Sequence, residues 1–278
     1  MATTIDQAFI KQFEREVHEA YQRQGSKLKN TVRSVNNVKG ASTVFQKVGK
    51  GTASTKSTHG MVPVMNLAHS NVECTLEDYY AGDWIDRLDE LKINIPERQV
   101  IASAGANALG RKTDELIITA LGAAATHVIT DADIGLTKSK IMAAFELFGK
   151  NDIPDDAQRF AVIGWKQWTE LLAIPEFSSA DYVGATNLPY NTLTQAKSWL
   201  GTIWIPHSGL PINASDIRSC YFYHKTAVGH ASGSDVQTDI SWHGDRAAHF
   251  VNNMMSQGAS LIDAGGVVVI NCDETPDA

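Results

Sequence analysis

Acidic residues are absent from positions 23 to 72 of this 278-residue chain, where eight basic ones occur: Arg23, Lys27, Lys29, Arg33, Lys39, Lys47, Lys50 and Lys56. Large apolar side chains are scarce there outside the last third, and Phe45 is the one aromatic. A polar ribbon of this kind cannot bury a core of its own, so it has to lie on something else. Nucleic acid is one such surface; an acidic protein surface, including that of another copy of the chain, is the other. The next segment reverses the sign, since residues 73 to 97 hold Glu73, Glu77, Asp78, Asp83, Asp86, Asp89, Glu90 and Glu97 against Arg87 and Lys92.

Other absences narrow the class. Cysteine is limited to Cys74, Cys220 and Cys272, far apart and odd in number. That excludes a disulfide framework and a paired-cysteine metal site, and makes a reducing compartment the default. No run of 18 apolar residues occurs, and the N-terminus opens on polar residues without an apolar signal core, so neither a helical membrane span nor a secretion signal is expected. The net charge of −7 argues against binding nucleic acid through the whole surface, though not through a local basic patch. The length permits one large domain or two small ones. A soluble protein made inside a cell is the expectation.

What is present is a succession of helix and strand signals. Ile5, Phe9, Phe13, Val17 and Tyr21 recur every four residues and Gly25 follows, which predicts an amphipathic helix over 5–24 with one apolar stripe to cover. A hairpin is predicted over 41–58, with Val44 and Val48 two steps either side of Gln46 and Gly49-Lys50-Gly51 as its turn. Alternation of Val72, Cys74 and Leu76 with Glu73, Thr75 and Glu77 predicts a return strand over about 62–77. Two strands alone are marginal in water, so this ribbon should be mobile or pinned by a partner. Pro96 opens a long helix to about 121, roughly 38 Å in length. Small residues inside it, among them Ala104, Gly105 and Gly110, let other segments approach closely.

Compact α/β signal follows. Val128 and Ile129 end a short strand, 136–148 reads as a helix, 161–163 as a strand, and Trp165, Trp168 and Leu172 mark a short helix whose tryptophans read as core. Residues 174–190 form a long loop, uncommon in compact domains unless functional. A helix near 191–199 precedes strands at 202–205, 220–228 and about 237–242. Residues 247–262 stay open between strand and helix, and 266–271 is a closing strand.

Chemistry-bearing patterns are weak. Asp131 and Asp133 could hold Mg²⁺ as paired carboxylates, but their place before a helix suits capping of free backbone N–H groups better. Gly49 to Ser57 has the flavour of a phosphate loop; Lys56-Ser57 is preceded by Thr55, Lys50 stands where the first glycine belongs, and a hairpin tip fits better. His224 and His230 would share a face if one strand ran through both, yet metal binding needs a third convergent ligand. With His243 and His249 they read as residues on polar strand faces. No Gly-x-Ser-x-Gly elbow is present. No catalytic, cofactor-binding or metal residue is assigned. The rival reading of the ribbon as a nucleic-acid binder lacks the interleaved aromatics that single-strand binders use.

The order of segments, and the stretches GSKLKNTVR at 25–33, CTLEDYYAGDWID at 74–86, LGRKTDELIITAL at 109–121, WLGTIWIPHSGLP at 199–211 and YHKTAVGHASG at 223–233, resemble the major capsid protein of tailed double-stranded-DNA bacteriophages. That fold is shared with encapsulin nanocompartments. The resemblance implies an α+β chain with an N-terminal arm (1–30), an extended β-hairpin loop (31–75), a peripheral domain with a spine helix (76–127), an axial α/β domain (128–234), and a return to the peripheral domain with a closing strand (235–278). It implies a structural protein, not an enzyme, that self-assembles into hexamers and pentamers of an icosahedral shell around double-stranded DNA, without cofactor and without membrane. Made in the host cytoplasm, it would reside in the virion. Its partners would be further copies of itself, packaged DNA bound without sequence preference, and portal, scaffolding or decoration proteins. With no long segment ahead of the arm, a scaffold is expected as a separate protein. Intersubunit contacts are expected at Phe9 and Phe13 by apolar docking, at Lys47, Lys50 and Lys56 in the loop, and at the acidic Glu73, Glu77 and Asp78. Some relatives cross-link a loop lysine to a neighbour's asparagine, but no acceptor is identifiable here. A basic ribbon and an acidic segment on identical subunits suit head-to-tail contact, which closes into rings. An encapsulin-like compartment, or a nucleic-acid binder using residues 23–72, are the alternatives.

Overall fold

The computed structural model describes residues 25–92, 97–124, 126–130, 134–178 and 197–275. The helix expected over 5–24, with Phe9 and Phe13, lies outside them, as do Asp131, Asp133 and most of the loop expected over 174–190. Cα proximity divides the described chain into two compact units, one holding 78–111 and 236–255, the other 26–77, 112–235 and 256–275.

The larger unit is built on a mixed six-stranded sheet. Its strands are β5 (Val128–Ile129), β6 (Arg159–Ile163), β7 (Lys197–Trp199), β8 (Thr202–Pro206), β9 (Ile217–His224) and β12 (Val267–Asp273), in the order β5-β12-β9-β6-β8-β7. Strand β9 runs antiparallel to both β12 and β6, while β6 and β8 are parallel. Val267 to Ile270, Cys220 to Tyr223 and Ala161 to Ile163 are buried without alternation, as expected of strands covered on both faces. Helices α3 (Lys138–Lys150) and α4 (Trp165–Ala173) add Ile141, Ala144 and Phe148, and Trp168 and Leu171, to the same core. Thr137 caps α3 by accepting from the Lys140 N–H. A row of rings crosses this core from Phe148 through Phe222, Trp204, Trp199 and Phe177 to Trp168, with centroids 4.5 to 6.1 Å apart.

The helix α2 (Glu97–Gly122) matches its expected span. Its last turns carry Ile117, Ile118 and Leu121 into the core of the larger unit, beside Leu28 and Val32. Two expectations fail around the six-stranded sheet. Lys197–Trp199 is a strand, not the end of a helix: Leu200 and Gly201 both take positive φ (52° and 66°) and form a two-residue turn that pairs β7 with β8. Leucine at the first turn position hides the usual Asn-Gly signal. Trp165 is 44% exposed, so only Trp168 is core.

The basic ribbon belongs to the larger unit, with a different register from the one expected. Strand β2 (Ser42–Val48) pairs antiparallel with β3 (His69–Thr75), from Ser42 opposite Thr75 to Val48 opposite His69. Gly49-Lys50-Gly51 is therefore not a tight turn; residues 49–68 all belong to the connection. The buried side is that of Phe45 and Cys74, whereas Val44 and Val48 are half exposed. Phe45 packs with Cys74, Ala231 and Ile262, and its ring lies where a side chain on Gly229 would be: a Cβ there would come within 2.6 Å. Strand β1 (Arg33–Val35) pairs parallel with the first residues of β10 (Val228–His243), Arg33 facing Gly229.

In the smaller unit the later part of β10 is followed by β11 (Ala248–Leu261) and β4 (Glu77–Asp86) as neighbours. The stretch left open between helix and strand is thus strand. From Val251 on, its buried positions (Val251, Asn253, Met255, Gln257) fall on a period of two that starts late and includes two polar residues. The first half of α2 lies in this unit, and Gly105, without a side chain, permits the close approach expected there. A Cβ on it would stand 2.1 Å from Asn253 Nδ2. Asn253 Nδ2 donates to the Ala81 carbonyl (3.3 Å) and its Oδ1 accepts from Thr238 Oγ1 (2.6 Å). The short helix α1 (Arg87–Lys92) follows β4. Trp84 stacks on Phe250 at 4.6 Å with the Arg246 guanidinium 4.4 Å from its ring.

Phe45→Ala is expected to release the ribbon without unfolding the six-stranded sheet. Amide exchange in β2 and β3 should accelerate on the order of tenfold or more while β9 and β12 are unchanged. Equal acceleration in both would mean that the ribbon is not a separate cooperative element.

Candidate assembly surface

The ribbon leaves the body from a fixed root. Residues 26–28, just ahead of the 3₁₀ turn Lys29–Thr31 that leads into β1, converge on Asp114 of α2. Ser26 Oγ donates to its Oδ1 at 2.6 Å, the Leu28 N–H at 3.0 Å, and the Lys27 N–H reaches Oδ2 at 3.2 Å. His207, after β8, donates from Nε2 to Oδ2 at 3.1 Å and accepts the Gly209 N–H at Nδ1 (3.0 Å), so its ring proton sits on Nε2. Both side chains are fully buried. Burial alone would push the Asp114 carboxyl up; the hydrogen bonds from His207, Ser26, Leu28 and Lys27 outweigh it and hold the group below the ordinary carboxylate value. Beside it Thr113 Oγ1 donates to Gln257 Oε1 (2.7 Å), which also receives His230 Nε2 (3.2 Å). Sequence reading missed Asp114, Thr113 and His207. A signal existed: Leu109, Thr113, Asp114, Ile117, Ile118 and Leu121 form one helical stripe, and two polar residues on such a stripe have to find partners inside.

Beyond the root, the expected contact residues behave differently. Lys47 pairs with Asp263 at 2.8 Å and Lys50 with Asp152 at 2.8 Å, both within the subunit. Hydrogen bonding to Lys50, with its charge, holds the Asp152 carboxyl below its usual value. Lys56 is exposed with no carboxylate in ion-pair reach among the described residues. Glu73, Glu77 and Asp78 are exposed on β3 and β4. Between the strands, residues 51–59 and 61–68 are all exposed, and the run includes Met61 (95%), Val62 (74%), Val64 (79%) and Met65 (51%).

The histidines do not converge. His224 closes β9 and His230 lies in β10, separated by a 3₁₀ turn at Lys225–Ala227, so no single strand runs through both. His224 reaches Asp156 (3.0 Å) and Thr226 (2.8 Å). His243 and His249 contact Trp84 and Trp242 in the smaller unit. Among the described residues no group of three His, Cys, Asp or Glu is placed to hold a metal, and no helix is long and apolar enough to cross a membrane.

A model of the phage capsid protein family matches residues 5–274. The chain belongs to that family. No curated protein sequence matches it. Solved structures with the same fold include the capsid of Cyanophage P-SCSP1u, 17% identical over 99% of this chain and 96% of that one, with a TM-score of 0.76. The capsid of Ralstonia phage GP4 is 12% identical over 100% and 99%, with a TM-score of 0.71. The Mycobacterium phage Che8 structure is 17% identical over 93% and 95%, with a TM-score of 0.67. Membership in the phage capsid family makes this a structural, self-assembling head protein rather than an enzyme.

Asp114→Asn should lower stability at neutral pH by about 3 kcal/mol, because a carbonyl and an amide replace a carboxylate fully surrounded by donors. A carboxyl held low in the folded state stabilises fully above its unfolded value of about 3.9 and loses that contribution as pH falls through the folded value. The gap between wild type and variant in urea unfolding should therefore narrow from pH 7 to pH 3. A constant gap would assign the loss to packing alone.

Proposed function

We propose that this chain forms the hexamers and pentamers of an icosahedral head enclosing double-stranded DNA, using the 31–75 ribbon as an arm laid on a neighbouring subunit. In this reading residues 1–30 are the N-terminal arm, docking through Phe9 and Phe13. Helix α2 is the spine of a peripheral domain formed by 76–127 and 235–278, and 128–234 is the axial domain. Portal, scaffolding or decoration proteins would complete the virion, and the DNA would be held without sequence preference. The phage capsids among its structural relatives favour this over an encapsulin-like compartment.

The observation that carries the proposal is the exposed run Met61-Val62-Pro63-Val64-Met65 at the far end of a two-stranded ribbon. A contiguous apolar segment left bare on a charged, polar loop marks a protein contact. Nucleic acid would be met by a row of cations interleaved with stacking rings, whereas the 49–68 connection carries Lys50 and Lys56 and no Phe, Tyr or Trp. Lys47 and Lys50 already hold partners in their own subunit, so they can serve a neighbour only by exchanging them. Both pairs are at least 39% exposed, where ion pairs contribute about 0 to 1 kcal/mol, so exchange is easy.

Replacing residues 51–67 by a short Gly-Ser link should leave a soluble folded subunit that no longer closes shells in electron microscopy and sedimentation. Intact shells would remove the loop from the mechanism. Lys47→Glu combined with Lys50→Glu should weaken assembly more at low than at high salt; an equal effect at both would mean packing rather than charge.

A further inference from the structure

We propose that a depression formed by Arg33 and Lys225 receives a carboxylate of a second copy of this chain, presented by the acidic strand β4. The inference rests on the shell reading above and supplies a receptor for the head-to-tail contact. Arg33 opens β1 and is exposed, its guanidinium 5.6 Å from the Phe45 ring, which orients it. Lys225 lies in the 3₁₀ turn between β9 and β10, half-buried, with its backbone N–H held by the Gln158 carbonyl at 3.0 Å. Val32 and the neutral, hydrogen-bonding Asn30, Ser34, Gln158 and Thr226 complete the lining.

No carboxylate lines the depression, and neither cation has an ion pair among the described residues. The acids close by in sequence or space are engaged elsewhere. Asp156 takes His224 Nε2 and the Gln158 N–H, and Asp235 takes Lys29. Two uncompensated cations, one of them a planar fork, amid neutral donors are a site for one anionic group. A nucleic-acid backbone would instead need a row of free cations spaced along it, and here the flanking Lys29 is already paired.

The complementary surface is on the chain itself. Strand β4 is the outermost of its sheet and exposes Glu77, Asp78, Asp83 and Asp86. A receptor and its ligand at different places on one chain make a heterologous contact, which repeats around a ring.

The test uses the full-length chain and the protein concentration at which it sediments as closed assemblies at about 50 mM salt, where the Debye length exceeds 10 Å. Arg33→Glu with Lys225→Glu should raise that concentration on the order of tenfold or abolish assembly, at an unchanged thermal midpoint. Arg33→Gln with Lys225→Gln should give a smaller defect of the same sign and covers any folding defect of the first pair. Adding Asp78→Lys and Asp83→Lys, one on each face of β4, to the double reversal should restore assembly. Wild-type assembly by the double reversal, or a fourfold variant no better than the double, would overturn the receptor while leaving the shell reading intact. Normal assembly coupled with loss of a salt-sensitive shift of DNA would show the occupant to be phosphate and would also overturn it. A wild-type chain that stays monomeric at every concentration and salt would overturn self-driven assembly, and the receptor with it.

Discussion

The buried carboxylate of Asp114 is the contact on which the placement of the ribbon depends. Removing a charged carboxylate from water is strongly unfavourable unless donors surround it. Here the donors come from Ser26, Lys27 and Leu28, more than 80 residues earlier in the chain, and from His207, 93 residues later. None of the three segments can shift without stranding the charge. The network therefore sets where the chain emerges before β1. It also seats Leu28 and Val32, both buried, against Ile117 and Leu121. A merely apolar contact there would tolerate sliding by a turn, whereas a carboxylate with its donors in place does not.

From that root the structure changes character. Phe45 and Cys74 pin the base of the ribbon in a small cluster beside β10, and beyond Val48 almost nothing is buried. The larger unit has a ring-lined core closed on both faces of its sheet; the ribbon has two strands and a run of exposed side chains. Sheets of two strands are marginal alone. Its shape beyond the base is thus held by weak exposed ion pairs and is free to be reset by a partner. That gradient, from rigid root to adaptable tip, is what an arm shared between subunits requires.

How far the sequence revealed this follows from the kind of signal each element carries. Helix α2 was readable because proline, an acidic first residue and an apolar final third all agree. Strands β6, β8 and β12 were readable because buried strands of a covered sheet are short apolar runs. In the ribbon, Gly49-Lys50-Gly51 imitates a turn, while the true pairing joins Val48 to His69 across a connection with no periodicity. Strand β7 reads as helix because a leucine occupies a left-handed turn position. The Asp114 cluster and the Arg33–Lys225 depression could not be read, since each unites residues from distant segments. Only polarity on an apolar stripe hinted at the former, and nothing local links Lys225 to Arg33.

The two kinds of exposed surface on this chain have different consequences for assembly. Burying a Val or Met side chain from full exposure contributes about 1.5 to 3 kcal/mol, so the tip bearing Met61, Val62, Val64 and Met65 outweighs several exposed ion pairs at about 0 to 1 kcal/mol each. Affinity between subunits should then reside in the apolar tip. Charge does what apolar contact cannot: an Arg33–Lys225 pair facing a carboxylate rewards one orientation, and facing another basic ribbon it repels. A net charge of −7 keeps unassembled copies apart except where opposite patches meet. An apolar tip alone would adhere in many registers, and charges alone would be screened at physiological salt. A closed shell needs contacts that are strong in one geometry and weak in the rest, and the segregation of these surfaces along one chain meets that need.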